Sequence, residues 1–234
     1  MAAQGRVVVI TGAAGNLGRA VANAFSQGGE RLVLVDRRLD ALANAFGAAG
    51  ESRLFAVANL LDAGEASGVA KAAVEKFGRI DVLCNIAGGF RMGEPVHETS
   101  EANWDFLLDL NARTVLHMAR ACVPQMIAQG SGKIVNVAAF AAQKGAANMG
   151  AYTASKAVVV RLTEAMAAEL RTKGINVNCV MPTVIDTPEN RKSMPDVDPK
   201  TWVAPEELAS VVEFLASPKS RAIHGAAIPV TGLV

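Results

Sequence analysis

Aromatic residues, cysteine and net charge are all scarce in this sequence. Of its 234 residues, 5% are aromatic and a single one is a tyrosine. The formal net charge is +1, which argues against the strong electrostatic attraction that nucleic-acid and membrane-surface binding depends on. No apolar run reaches the length of about 18 residues that a transmembrane helix needs, so no membrane span is expected.

The cysteines and histidines give no sign of a metal site. Cys84, Cys122 and Cys179 are an odd number of thiols with apolar neighbours and without metal-ligand spacing. We interpret them as buried free thiols of a reducing compartment. The first apolar run is too short for a signal-peptide core, so a cytoplasmic location is expected.

The chain instead has many short apolar runs that alternate with longer helical patterns. Runs rich in Val and Ile, without polar alternation, are typical of strands buried on both faces. These strands are predicted over residues 7–10, 31–35, 54–57, 80–84, 133–137, 175–180 and 226–230. Helices are predicted between them, over residues 16–27, 39–48, 63–77, 99–129, 151–173 and 205–216. This order predicts an α/β fold: a single-domain, Rossmann-type doubly wound parallel sheet flanked by helices over residues 1–234.

A glycine-rich turn follows the first predicted strand. Gly12, Gly15 and Gly18 allow a tight turn close to a pyrophosphate, at the positive end of the next helix. The second strand ends in Asp36, a carboxylate that can accept hydrogen bonds from the ribose hydroxyls of NAD. Arg37 and Arg38 could instead hold the phosphate of NADP. NAD(H) is therefore the preferred cofactor, and NADP(H) remains possible.

The single tyrosine lies four residues before a lysine. On a helix, Tyr152 and Lys156 lie one turn apart on one face. An ammonium beside a phenol is expected to lower the pKa of the phenol from about 10. Tyr152 could then exchange a proton with a substrate while hydride moves to or from nicotinamide. A surface helix that carries both residues without chemistry is the alternative.

With these motifs the chain resembles the short-chain dehydrogenases/reductases over nearly its whole length. The resemblance implies Tyr152, Lys156 and Asn111 as catalytic residues, with Asn111 supporting a relay water. It also implies a set of cofactor-binding residues along the carboxyl edge of the sheet. These are Gly12, Ala14, Gly15, Asn16, Leu17, Gly18, Asp36, Arg37, Asn59, Leu60, Asn85, Ala87, Gly88, Tyr152, Lys156, Pro182, Ile185 and Thr187.

Several positions depart from the usual pattern of that family. Ala139 stands where the family keeps a catalytic serine, and the glycine turn is spaced G-x-x-G-x-x-G. In both respects, and in the polar segment 186–195, the chain resembles the dihydropteridine reductase branch. That resemblance implies a quinonoid dihydropterin as substrate and a substrate loop at about 183–202. The expected substrate pocket contains Ala139, Met149, Thr183, Asn190 and Trp202.

Other interpretations stay open from the sequence. The hydroxyl of Thr183 or Ser155 could replace the missing serine, the activity could be weak, or Ala139 could be an engineered loss. The protein could be an NAD(P)-dependent carbonyl or 3-oxoacyl reductase, an alcohol dehydrogenase, or a non-catalytic NAD-binding regulatory protein. The resemblance further implies a homodimer or homotetramer built on the helices near 99–129 and 151–173.

Overall fold

A seven-stranded parallel sheet runs through the centre of the protein. The computed structural model describes residues 5–233, and its strands follow one another across the sheet in the order β3-β2-β1-β4-β5-β6-β7. The strands are β1 Val7–Thr11, β2 Arg31–Asp36, β3 Arg53–Val57, β4 Val82–Asn85, β5 Gly132–Val137, β6 Ile175–Pro182 and β7 Ala227–Val230. The predicted doubly wound fold is confirmed, and every predicted strand is present within two residues of its expected ends.

Eight α-helices flank the sheet in the described range. They are α1 Asn16–Gln27, α2 Leu39–Phe46, α3 Ala63–Phe77, α4 Glu101–Leu108, α5 Thr114–Gln129, α6 Gly150–Leu170, α7 Pro188–Ser193 and α8 Pro205–Leu215. No helix among residues 5–233 has the length and apolar character required to cross a membrane.

Each face of the sheet has its own apolar core, because the side chains of a strand alternate between faces. Val7 and Val9 of β1 pack into a cluster that also holds residues of α3, α5 and α6. Val8 and Ile10 pack on the other face with residues of α1, α2 and α8. Burial on both faces explains why the strands appear in the sequence as continuous apolar runs.

The chain order across the sheet reverses beside β1. From β1 the chain proceeds outward to β2 and β3 and then returns to β4 on the other side. The connections that follow β1 and β4 therefore lead to opposite sides of this point, and both begin at the carboxyl ends of their strands. Open α/β sheets bind their ligands at such a switch point.

The predicted helix over 99–129 is interrupted. A π-helical turn, Asp109–Arg113, separates α4 from α5. Such turns occur often at functional sites, and this one contains Asn111. The long polar stretch before α8 also contains a helix, α7, whose first turn is capped by Thr187 accepting from the N–H of Asn190.

The three cysteines are free and buried, as the sequence indicated. Burial raises the pKa of the Cys122 thiol to about 12 and that of Cys179 to about 11, and it raises that of Cys84 further. Because the thiolate is the reactive form, these side chains are packing residues.

Two leucines of α2 provide a matched test of the packing. Leu42 is fully buried, whereas 57% of the surface of Leu39 is exposed. Leu42→Ala should lower the free energy of unfolding by about 2–5 kcal/mol because it leaves a cavity. Leu39→Ala should change it by about 0.5 kcal/mol or less. Urea unfolding of both variants measures the difference, and equal losses would contradict the assigned orientation of α2.

Candidate active site

The glycine turn between β1 and α1 fits tightly against the turn after β4. Gly12 has a φ of +61°, and a Cβ at this position would lie 2.9 Å from the Cα of Ala87. A Cβ on Gly18 would lie 2.2 Å from the carbonyl oxygen of Gly12. Gly12 is therefore required by its backbone conformation, and both glycines are required by the close approach of main chain to main chain.

The start of α1 has the properties of a pyrophosphate site. The first N–H groups of a helix have no acceptor within the helix. Here the N-cap is Gly15, which has no side chain to satisfy them, and the first turn contains no acidic residue. These free donors and the positive end of the helix dipole fit a phosphate group. Ala14, Asn16 and Leu17 belong to the same turn, as the sequence predicted.

Asp36 is held at the end of β2 beside this turn. One carboxylate oxygen accepts the N–H of Ala14 at 3.0 Å and the other accepts the N–H of Arg37 at 2.8 Å. Each oxygen keeps a second lone pair, so the carboxylate can also accept from ribose hydroxyls. Arg38 forms an ion pair with Asp40, and the Arg37 guanidinium has no partner among residues 5–233.

Two predicted cofactor residues lie in the turn that follows β3. Asn59 is exposed, and its side-chain oxygen accepts the N–H of Leu61 at 3.3 Å. Leu60 is buried, and its carbonyl oxygen bonds to Nδ1 of His117 at 2.8 Å. The contact with Leu60 gives His117 a structural role.

Asn85 is part of a buried polar chain within the sheet. Its amide nitrogen donates to Asn136 at 2.8 Å, and Asn136 donates in turn to Thr163 at 2.8 Å. The side-chain oxygen of Asn85 is buried without a hydrogen-bond partner in the described part of the chain. The side chain therefore joins β4 to β5, and its predicted contact with cofactor stays a prediction.

Asn111 connects the π-helical turn to two other parts of the site. Its side-chain oxygen accepts the N–H of Gly89 at 2.8 Å. Its nitrogen donates to the carbonyl of Gly89 at 3.1 Å and to the hydroxyl of Ser155 at 3.0 Å. Both hydrogens of the amide are thus used by protein groups. Asn111 holds the segment after β4 against α6, and the relay water stays a prediction.

Tyr152 and Lys156 lie one turn apart on α6, as expected. Lys156 is 5% exposed, and its ammonium donates to the carbonyl of Val137 at 2.9 Å. A Cβ on Gly88 would lie 3.1 Å from the Lys156 nitrogen and 2.9 Å from the Asn111 side-chain oxygen. Gly88 therefore leaves the space into which both polar groups project.

The expected decrease in the pKa of Tyr152 is wrong for this structure. Burial raises the pKa of the phenol to about 12, and burial lowers that of Lys156 to about 8. For Tyr152 the cause is the loss of hydration on burial, which disfavours the charged phenolate. The phenol is therefore protonated at neutral pH. Its hydroxyl bonds to no group among residues 5–233, so its proton is available to a substrate.

Neither hydroxyl considered as a replacement for the missing serine is free. Ala139 lies 4% exposed just after β5 and has no hydrogen-bonding group in its side chain. The Ser155 hydroxyl donates to the carbonyl of Tyr152 at 2.8 Å. The Thr183 hydroxyl donates to the carbonyl of Thr231 at 2.9 Å. Each hydroxyl therefore donates its one hydrogen to a main-chain oxygen.

The predicted substrate loop is an ordered structure around α7. Asn190 donates to the carbonyl of Ile185 at 2.8 Å, and Arg191 forms an ion pair with Asp186 at 2.6 Å. Trp202 is only 4% exposed, so it anchors the loop and offers little surface to a substrate. Its assignment to the substrate pocket stays a prediction.

The remaining predicted residues lie at the edges of this loop or beside Tyr152. Pro182 is buried at the end of β6, and its register partner on β7 is Val230. Met149 is half-buried and directly precedes α6. The assignment of Pro182 to the cofactor and of Met149 to the substrate pocket stays a prediction.

The structure adds two residues that the sequence did not indicate. Glu189 of α7 accepts a hydrogen bond from the side chain of Asn16 at 2.9 Å, which joins the loop to the glycine turn. Phe90 contacts Tyr152, with ring centroids 4.8 Å apart and planes at 88°. An aromatic directly after two glycines at a strand end was the available signal for Phe90. Glu189 had no such signal, because a carboxylate in a polar loop is an ordinary feature of a sequence.

Known proteins are similar to this chain in sequence and in fold. The family model described as short chain dehydrogenase matches residues 6–198. The 3-oxoacyl-(acyl-carrier-protein) reductase FabG of Thermotoga maritima is 36% identical over 245 residues, which cover 99% of this chain and 98% of that protein.

Two solved structures are also similar over nearly the whole chain. The first is NAD+-bound xylitol dehydrogenase, with a TM-score of 0.89, 28% identity and coverage of 99% of this chain and 100% of that one. The second is 3-ketoacyl-(acyl-carrier-protein) reductase from Brucella melitensis complexed with NADH, with a TM-score of 0.87, 30% identity and coverage of 98% of each chain. This chain therefore belongs to the short-chain dehydrogenase/reductase family of NAD(P)-dependent oxidoreductases.

Proposed function

We propose that the protein is an NADH-dependent reductase that uses Tyr152 as its proton donor and acts on a conjugated heterocycle such as a quinonoid dihydropterin. The observation that carries the proposal is a protonated phenol whose hydroxyl bonds to no group among residues 5–233, in a site that has Ala139 in place of a serine. The bound nicotinamide would supply the hydride. The protein's own groups would orient the substrate and deliver the proton.

The missing serine favours a substrate whose charge is delocalised. Reduction of an isolated ketone concentrates negative charge on one oxygen, and losing one donor to such an oxygen costs about 10²–10³ in rate. In a quinonoid dihydropterin the developing charge is shared by ring nitrogens and a carbonyl, so one donor can suffice. The resemblance of segment 186–195 to the dihydropteridine reductase branch supports the same substrate class.

The second candidate is an NAD(P)-dependent carbonyl or 3-oxoacyl reductase. It is favoured by the 36% identity to a protein named as a 3-oxoacyl reductase. It requires Tyr152 alone to stabilise the substrate oxygen. Turnover of 3-oxoacyl thioesters without turnover of dihydropterin would select this candidate.

The location and the assembly are also proposals. The three buried free thiols support a reducing, cytoplasmic location. Exposed apolar residues on α4, α5 and α6, namely Trp104, Leu116 and Val158, support a homo-oligomer that buries these helices. Sedimentation velocity would distinguish a monomer from a dimer or a tetramer.

Removal of the phenol hydroxyl tests the proposed proton donor. With NADH and freshly generated quinonoid dihydropterin, Tyr152→Phe should lower kcat by about 10²–10⁴-fold, the usual contribution of a general acid. NADH binding, measured by fluorescence, should remain, because Lys156 and the glycine turn are unchanged. A variant that keeps its rate would overturn the role of Tyr152. Absence of dihydropterin turnover by the native protein would overturn the substrate.

The Asp36 carboxylate tests the cofactor preference. Asp36→Asn keeps the shape of the side chain but removes the charge and one acceptor. The ratio of kcat/KM for NADH to that for NADPH should fall about tenfold or more, because a hydrogen bond to a charged group contributes about 1.5–3 kcal/mol. Asp105→Asn, the same change at an exposed position on α4, is the control. An unchanged ratio would show that Asp36 does not select the cofactor.

A further inference from the structure

The segment that follows β4 is fixed at two places beside the catalytic tyrosine. Gly89 forms two hydrogen bonds with the side chain of Asn111. Further along, the N–H of Gly93 donates to the carbonyl of Asn148 at 2.9 Å. A Cβ on Gly150 would lie 2.6 Å from a methyl group of Val96, so this segment also packs on the first residue of α6. The position of Phe90 is therefore set by contacts on either side of it.

Phe90 meets Tyr152 edge-on and still leaves much of its ring uncovered. The ring centroids are 4.8 Å apart with planes at 88°, and 54% of the surface of Phe90 is exposed. Its neighbour Met92 is 55% exposed. The cation of the segment, Arg91, lies 3.5 Å from the centroid of the Phe106 ring. The uncovered surface beside the phenol is therefore apolar and includes an aromatic ring.

We propose that Phe90 is a specificity-determining residue that selects planar, conjugated substrates by holding them against its exposed ring beside Tyr152. The inference rests on the proposed function, since it concerns the substrate that Tyr152 protonates. Aromatic rings bind planar π-systems by offset or edge-to-face contact, which adds to the burial of apolar area. An aliphatic substrate gains only the burial, which a leucine can also provide.

Binding measurements on NAD+-saturated protein test this selection without requiring turnover. The probes are biopterin and menadione, which are planar, and an acetoacetyl thioester, which is aliphatic. Phe90→Leu should weaken the binding of a planar probe about two- to tenfold, the range that an aromatic pair provides. Thioester binding should stay within twofold. Phe90→Trp should restore the binding of the planar probes. Phe214→Leu, the same change at an exposed phenylalanine of α8, should leave every affinity unchanged.

The steady-state counterpart is a selective change in KM. For a planar substrate, Phe90→Leu should raise KM more than it lowers kcat. Equal weakening of the binding of planar and aliphatic probes would show a packing defect and overturn the inference. Unchanged affinities in Phe90→Leu would also overturn it. So would a native protein that binds neither planar probe. Selective loss of planar binding in a protein that turns over no substrate would sustain the inference while contradicting the proposed reaction.

Discussion

The site depends on a lysine buried in the protein with a main-chain carbonyl as its hydrogen-bond partner. Lys156 keeps its ammonium 2.9 Å from the carbonyl of Val137, and burial lowers its pKa to about 8. Burying an ammonium is unfavourable, so the surrounding groups must compensate for its lost hydration. The side-chain oxygen of Asn111 projects toward the same space, which the absence of a side chain on Gly88 leaves open. Ribose hydroxyls of a bound cofactor are suitable acceptors for the remaining ammonium hydrogens.

The same burial determines which chemistry Tyr152 can perform. In the protein alone, loss of hydration keeps the phenol protonated, so it is prepared to give a proton and not to take one. The loop around α7 contacts the glycine turn through Glu189 and Asn16, so the segment proposed to face substrate is physically connected to the one proposed to face cofactor. A single proton donor, an apolar aromatic neighbour and a connected loop are the features on which we base the proposal of a reductase for a flat, charge-delocalising substrate.

The sequence determined the fold well because the strands are buried on both faces and appear as uninterrupted Val- and Ile-rich runs. It could not locate the break in the predicted helix over 99–129, because the helical pattern continues through Asp109–Arg113. The π-helical turn there is not marked by any particular residue type. The increase in the pKa of Tyr152 could not be predicted from the sequence either, because desolvation depends on distant segments that cover the ring. The sequence could not show how far Trp202 is buried, for the same reason. Its burial depends on packing beneath the loop, which local composition does not reveal.

The most direct test of the account is to restore the serine. Ala139→Ser should raise kcat/KM for a 3-oxoacyl thioester by about 10²-fold, because a second donor would reach the localised oxyanion. It should change kcat/KM for quinonoid dihydropterin by less than about twofold, since that charge is spread over the ring. Steady-state NADH oxidation with both substrates gives the ratio. A native enzyme that already reduces the thioester efficiently, with no gain on adding the serine, would contradict the claim that Ala139 matches a charge-delocalising substrate.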